Sequence, residues 1–250
     1  MRPVINKILK PFGYSLQKNK ANSDDKDIQT NAEFFEIYEK VKGQTMTSPQ
    51  RLYALYNSIG YIIENNIEGD FVECGVWKGG SSMAMAFTAL KFRSTSKNIF
   101  LYDTFEGMSN PSKEDVDIYD NKATQLLRHS RKEKDAIWCY STLEEVKNNF
   151  KNTGYPNEKI HFIKGEVENT IPGIMPEKIS LLRLDTDWYE STKHEMKYLF
   201  PRLASKGVLI IDDYGHWKGA RKAVDEYFEE NNLHLLLNRI DYTGRIAIKL

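Results

Sequence analysis

The spacing of apolar positions changes along the chain. From Glu33 to Val41 and again from Pro49 to Asn66 they recur at helical intervals, with Leu52, Leu55, Tyr56, Ile59, Ile62 and Ile63 on one stripe; two helices are predicted ahead of a core. After Gly69, short runs rich in Val, Ile, Leu and Phe alternate with helical stretches, the pattern of a parallel sheet with crossover helices. Strands are predicted at Asp70–Cys74, Asn98–Tyr102, Lys159–Ile163, Ile179–Leu184 and Val208–Ile211. One helix starts near Gly79-Gly80-Ser81. Another begins at Ser141 with a capping box closed by Glu144 and ends near Gly154, and two more cover Ser191–Ala204 and Trp217–Asn231. Leu233–Arg239 and Arg245–Leu250, joined through Asp241-Tyr242-Thr243-Gly244, read as an antiparallel hairpin. The expected fold is therefore α/β and Rossmann-like: five parallel strands plus a C-terminal antiparallel hairpin in one seven-stranded sheet, with helices on both faces.

Residues 1–30 stand apart as an arm and a polar linker, and 31–250 as one domain whose N-terminal helices lie within 33–66. Ile5, Ile8, Leu9 and Phe12 give the arm an apolar face. The run from Gln17 to Asn31 has too few apolar residues to offset its ordering entropy.

Composition narrows the function. The 40% hydrophobic and 28% charged fractions are those of a globular protein. Thirty-five basic side chains balance 35 acidic ones, so the broad positive field that nucleic acid requires is missing and no nucleic-acid partner is expected. No apolar run approaches the roughly 20 residues of a membrane span, and no secretory signal is recognisable. Cys74 and Cys139 form no CxxC pair, which suits a reducing cytoplasm and argues against structural zinc. A cytoplasmic homodimer is the expected setting.

The candidate chemistry gathers at strand ends. The first strand runs into Phe71-Val72-Glu73-Cys74-Gly75-Val76-Trp77-Lys78-Gly79-Gly80-Ser81. Gly75 lets a ligand approach the backbone, Gly79 and Gly80 relax the turn, and N–H groups at the helix start can bind a carboxylate. Glu73, near the end of a buried strand, needs a partner, and a ligand amine would serve. The spacing is not GxGxxG, which speaks against a nicotinamide-dependent reductase. Asp103 ends the second strand, where nucleotide-binding folds hold ribose hydroxyls; as a structural residue it would make an Asx turn. Asp185 with Asp187, and Asp212 with Asp213, end the fourth and fifth strands. Neighbouring parallel strands bring Asp185, Asp212 and Asp213 together, and an all-oxygen set with open positions suits magnesium better than zinc. The alternative is that these acids cap the following helices. Trp77, Trp188, Tyr189 and Trp217 fall in strand-end loops, where an aromatic-lined pocket and core packing are both open, and His216 follows the acidic pair. Cys74 reads as a small apolar residue.

Four of these segments, in order, resemble the macrocin O-methyltransferase family: Glu73-Cys-Gly-Val-Trp-Lys-Gly-Gly-Ser81, Tyr102-Asp-Thr-Phe-Glu-Gly107, Leu184-Asp-Thr-Asp-Trp-Tyr-Glu-Ser-Thr192 and Ile211-Asp-Asp-Tyr-Gly-His-Trp217. The likeness continues through Lys218-Gly-Ala-Arg-Lys-Ala-Val-Asp-Glu-Tyr-Phe228 and covers about Thr45 to Leu250. It implies a class I methyltransferase fold and magnesium-dependent transfer of a methyl group from S-adenosylmethionine to a sugar hydroxyl. Glu73, Gly75, Gly79 and Ser81 are then expected on the methionine side, Asp103 on the ribose, and Gly165 and Glu166 on the adenine side. Asp185, Asp212 and Asp213 would hold magnesium, Asp185 or Asp187 would take the proton, and Trp188, Tyr189, His216 and Trp217 would line the acceptor, a glycoside or sugar. A catechol-type acceptor and a non-catalytic nucleotide-binding module are the competing readings.

Overall fold

A computed structural model of the chain describes residues 25–250, so the N-terminal arm lies outside the described residues. The polar stretch is not wholly extended: Lys26–Thr30 forms a short helix (α1) with Ile28 buried in the core. Helices α2 (Ala32–Val41) and α3 (Pro49–Glu64) follow, capped by Asn31 and Ser48, whose side chains accept from the Phe34 and Arg51 amides.

The sheet comprises β1 (Asp70–Cys74), β2 (Ile99–Asp103), β3 (Ile160–Lys164), β4 (Ile179–Leu184), β5 (Leu203–Ile211), β6 (Asn238–Arg239) and β7 (Arg245–Ile248), in the order β3-β2-β1-β4-β5-β7-β6. The four pairings among β1–β5 are parallel, while β7 runs antiparallel to β5 and β6. The alternation of side chains along a strand divides the core in two. Phe71, Leu101 and Leu181 pack on one face with α2, α3 and α4 (Gly80–Lys91). Val72, Cys74, Leu182 and Leu184 pack on the other with α8 (Tyr189–Tyr198) and α9 (Lys218–Glu230).

Several boundaries differ from expectation. The cap of α6 (Leu143–Lys151) is Thr142, which accepts from the Glu145 amide, while Ser141 Oγ donates to the Glu145 carboxylate. The helix expected to reach Ala204 stops at Tyr198, because Pro201 lies in a single 3₁₀ turn and Leu203 already begins β5. That strand is bulged before Val208, where its register against β4 shifts. Of Leu233–Arg239 only Asn238–Arg239 pairs; Leu233, Leu235 and Leu237 instead pack against the second core. Two short helices were not anticipated, α5 (Ala123–Arg128) and α7 (Val167–Thr170). No helix of the described residues is long and apolar enough to cross a membrane.

Candidate active site

A cavity of about 360 Å³ opens at the C-terminal edge of the parallel strands. Its floor is the β1–α4 turn. Gly75 has φ +82°, and a Cβ there would lie 2.0 Å from the Asp185 carbonyl oxygen, so only glycine lets the β1 and β4 ends pack this closely. Gly79, the left-handed cap of α4 at φ +87°, packs on Val146 and Phe150 rather than facing the cavity. The Gly80 amide donates to the Gln44 carbonyl at 2.9 Å, and Ser81 Oγ meets Thr47 Oγ1 at 3.1 Å and Thr45 Oγ1 at 3.3 Å. The segment before α3 thus closes this side.

Asp103 borders the cavity, with its oxygens engaged by backbone. Oδ2 accepts from the Val76 and Trp77 amides at 2.6 and 3.0 Å, and Oδ1 from the Phe105 amide at 2.6 Å. Burial pushes its carboxyl up, and these donors pull it back. Gly165 and Glu166 also line the cavity, the Gly165 amide donating to the Asp103 carbonyl.

Glu73 does not reach the cavity. It is 1% exposed and its Oε1 accepts from Arg183 Nη1, its register partner on β4. The counter-charge that the sequence reading sought in a ligand comes from the neighbouring strand. Burial pushes the Glu73 carboxyl up to about 8, with Arg183 pulling against it.

Arg183 organises the opposite half. Its Nη1 donates to Asp185 Oδ2 at 2.7 Å, and its Nη2 to Asp212 Oδ1 at 2.6 Å and Thr47 Oγ1 at 2.9 Å. Arg51, on the first turn of α3, donates through Nη1 to Asp212 Oδ2 and through Nε to Asp241 Oδ2 at 3.0 Å. One carboxylate oxygen from each of Asp185, Asp212 and Asp213 falls within 4.8 Å of the others. Burial and then the Asp185 charge push Asp213 up to about 7; Asp187, whose backbone amide donates to Asp213 Oδ2 at 3.3 Å, has its carboxyl raised by burial and by that neighbour.

His216 and Trp217 line the cavity together with Met46, Met108 and Tyr242, and the His216 ring stands edge-on to Trp217 at 5.0 Å and Tyr242 at 6.0 Å. Trp188 and Tyr189 do not line it. Trp188, 2% exposed, packs edge-to-face on Trp217 with its Nε1 donating to the Ser109 carbonyl, and the Tyr189 hydroxyl donates to Glu226. Trp188 Nε1 and the Tyr189 amide, which donates to Asp115 Oδ1 at 2.7 Å, fasten the segment between β2 and α6 beside the site.

A family model described as Macrocin-O-methyltransferase (TylF) matches residues 11–247. The chain belongs to that family. It is an S-adenosylmethionine-dependent O-methyltransferase. It is 31% identical over 200 residues to the 8-demethyl-8-(2,3-dimethoxy-alpha-L-rhamnosyl)-tetracenomycin-C 4'-O-methyltransferase of Streptomyces olivaceus, covering 80% of this chain and 73% of that one. The demethyldecarbamoylnovobiocin O-methyltransferase of Streptomyces niveus matches at the same identity and coverage. The solved structure of the O-methyltransferase NovP superposes with a TM-score of 0.72 at 28% identity, covering 82% of each chain.

For this methyltransferase, sequence reasoning missed Arg51, Arg183, Thr45, Thr47 and Tyr242. Arg183 carried a signal, being an arginine inside the otherwise apolar and serine-containing strand Ile179–Leu184. The others carried none.

Proposed function

We propose that the protein methylates a hydroxyl of a sugar, free or within a glycosylated small molecule, in a magnesium-dependent reaction. The observation that carries this reading is the cluster of Asp185, Asp212 and Asp213 at the cavity edge, with ligand oxygens within 4.8 Å of one another. Three carboxylates this close repel one another, and a divalent cation would relieve that repulsion; Asp185 and Asp212 have Arg183 and Arg51 as ion-pair partners, and Asp213 has none among the described residues. One close relative is named for a rhamnosyl tetracenomycin, which supports a sugar acceptor here.

Magnesium, when bound through these acids, would lower the pKa of an acceptor hydroxyl and favour vicinal oxygens over a single one. The chain's own groups do the rest. Gly75 and Ser81 border the methionine side, Asp103 the ribose side, and Gly165 and Glu166 the adenine side. A ribose hydroxyl would share Asp103 with the backbone amides rather than find it free. Asp185 and Asp187 both border the cavity and are the two candidate proton acceptors. Trp217, His216 and Tyr242 offer apolar faces to a sugar ring. Glu73 acts on the site only through Arg183.

The test is methyl gain by mass spectrometry with S-adenosylmethionine, magnesium and three acceptors: a vicinal-diol glycoside, its singly deoxygenated analogue and a simple catechol. The diol is expected to react fastest. Equal rates for the deoxy compound would remove chelation, and reaction of the catechol alone would remove the sugar. The Asp212→Asn, Asp213→Asn double variant should lose about a thousandfold in turnover while still binding S-adenosylhomocysteine. Full wild-type turnover in excess chelator would end the magnesium assignment.

A further inference from the structure

Among the three clustered acids, Asp212 differs in having both oxygens taken by guanidinium groups, Oδ1 by Arg183 and Oδ2 by Arg51. The two arginines are held very differently. The Arg183 side chain is 2% exposed and fastened to Glu73, Asp185, Thr47 and Asp212 at once, so it belongs to the sheet. The Arg51 side chain is 12% exposed and lines the cavity. It also has a second carboxylate away from the cluster, Asp241 in the β6–β7 turn, which Ser48 Oγ supports at 2.7 Å.

A guanidinium and a divalent cation on one carboxylate repel each other, and a buried setting screens that repulsion weakly. We infer that Arg51 is an internal counter-ion that competes with the divalent cation for Asp212 and so sets how tightly the site takes the ion. This rests on the magnesium reading above. Asp241 keeps the Arg51 charge compensated when Asp212 turns to the ion, and Arg183 stays in place throughout. Arg51 is thereby a positioning residue for the metal site, and its effect is read in cation affinity.

The test is titration of the full chain with Mn²⁺ alone, followed by electron paramagnetic resonance and calorimetry. Arg51→Gln, which removes the charge, should bind Mn²⁺ about tenfold more tightly than wild type, and Arg51→Lys, which keeps it, within about threefold. Unchanged or weaker binding by a folded Arg51→Gln protein would overturn the inference, because Arg51 would then be holding Asp212 in place for the ion. A measurement on the unmutated chain covers the case in which the Gln variant does not fold. Saturating Mg²⁺ should shift the ¹⁵N guanidinium signal of Arg51 by more than that of Arg183, and a static Arg51 signal would overturn the inference. An Asp185→Asn, Asp213→Asn variant that binds Mn²⁺ as well as wild type would remove the magnesium reading and the inference with it. Its loss of binding alongside an untightened Arg51→Gln protein would remove the inference alone.

Discussion

The two halves of the sheet's C-terminal edge hold buried acids by opposite means. On the β1–β2 side, Asp103 is satisfied by the amides of Val76, Trp77 and Phe105, neutral dipoles fixed by the chain's own turns. On the β4–β5 side, Asp185 and Asp212 rely on Arg183 and Arg51, while Asp213 accepts from the Asp187 amide and lies beside the Asp187 carboxyl. An acid ending a parallel strand is the same signal in both places. The first arrangement has no counter-ion to lose, whereas the second depends on every charge added or removed.

The strongest way to break this contrast is Gly75→Ala, since the β1 turn touches the Asp185 backbone. The left-handed conformation and the clash together should cost about 3 kcal/mol, seen as a fall of about 6–12 °C in melting temperature, with methyl transfer lost. Calorimetry with S-adenosylhomocysteine and with Mn²⁺ should find both sites weakened; loss of only one would mean that the halves are independent. Asp103→Ala sharpens the contrast by leaving buried amides without acceptors. It should destabilise by about 2 kcal/mol and weaken cofactor binding about tenfold while Mn²⁺ affinity stays within about twofold. Equal losses for both ligands would contradict the division.

The smallest effect concerns a buried acid that follows neither pattern. Glu195 is 0% exposed, accepts from Thr186 Oγ1 at 3.2 Å and has no hydrogen-bond partner for Oε1 among the described residues. Burial raises its pKa well above 4.5. Above that ordinary value the unfolded chain loses its proton while the native state keeps it, so this group's contribution to stability falls as pH rises toward the raised value. Glu195→Gln has no such proton to lose. Relative to wild type it should melt about 2 °C higher at pH 8 than its relative position at pH 5, and an equal offset at both pH values would show that Glu195 does not titrate in this window.

The parallel strands were legible because burial on both faces leaves near-continuous apolar runs between turn residues, and β1 and β4 match their expected bounds. The clustering of Asp185, Asp212 and Asp213 was legible too, since adjacent strand ends must share an edge. What could not be read was pairing that depends on register or distance. Glu73 was matched to a ligand because its true partner, Arg183, becomes its neighbour only once β1 and β4 align. Arg51 reaches Asp212 across 161 positions, with nothing local to announce it. Trp188 and Tyr189 sit where pocket aromatics would sit, but packing against Trp217 and Glu226 claims them. The β5 start was missed because Pro201 ends the preceding helix several residues early.

The absent side chain at Gly75 acts as a gauge. The β1–α4 turn and the β4 end that carries Asp185 are spaced by two peptide groups in contact, a thickness that no rotamer change can alter. Under the proposed reading, variation among acceptors is absorbed above that contact, by the segment that Trp188 and Trp217 hold beside the cavity. In that reading, the span across which the methyl group travels is set in backbone alone.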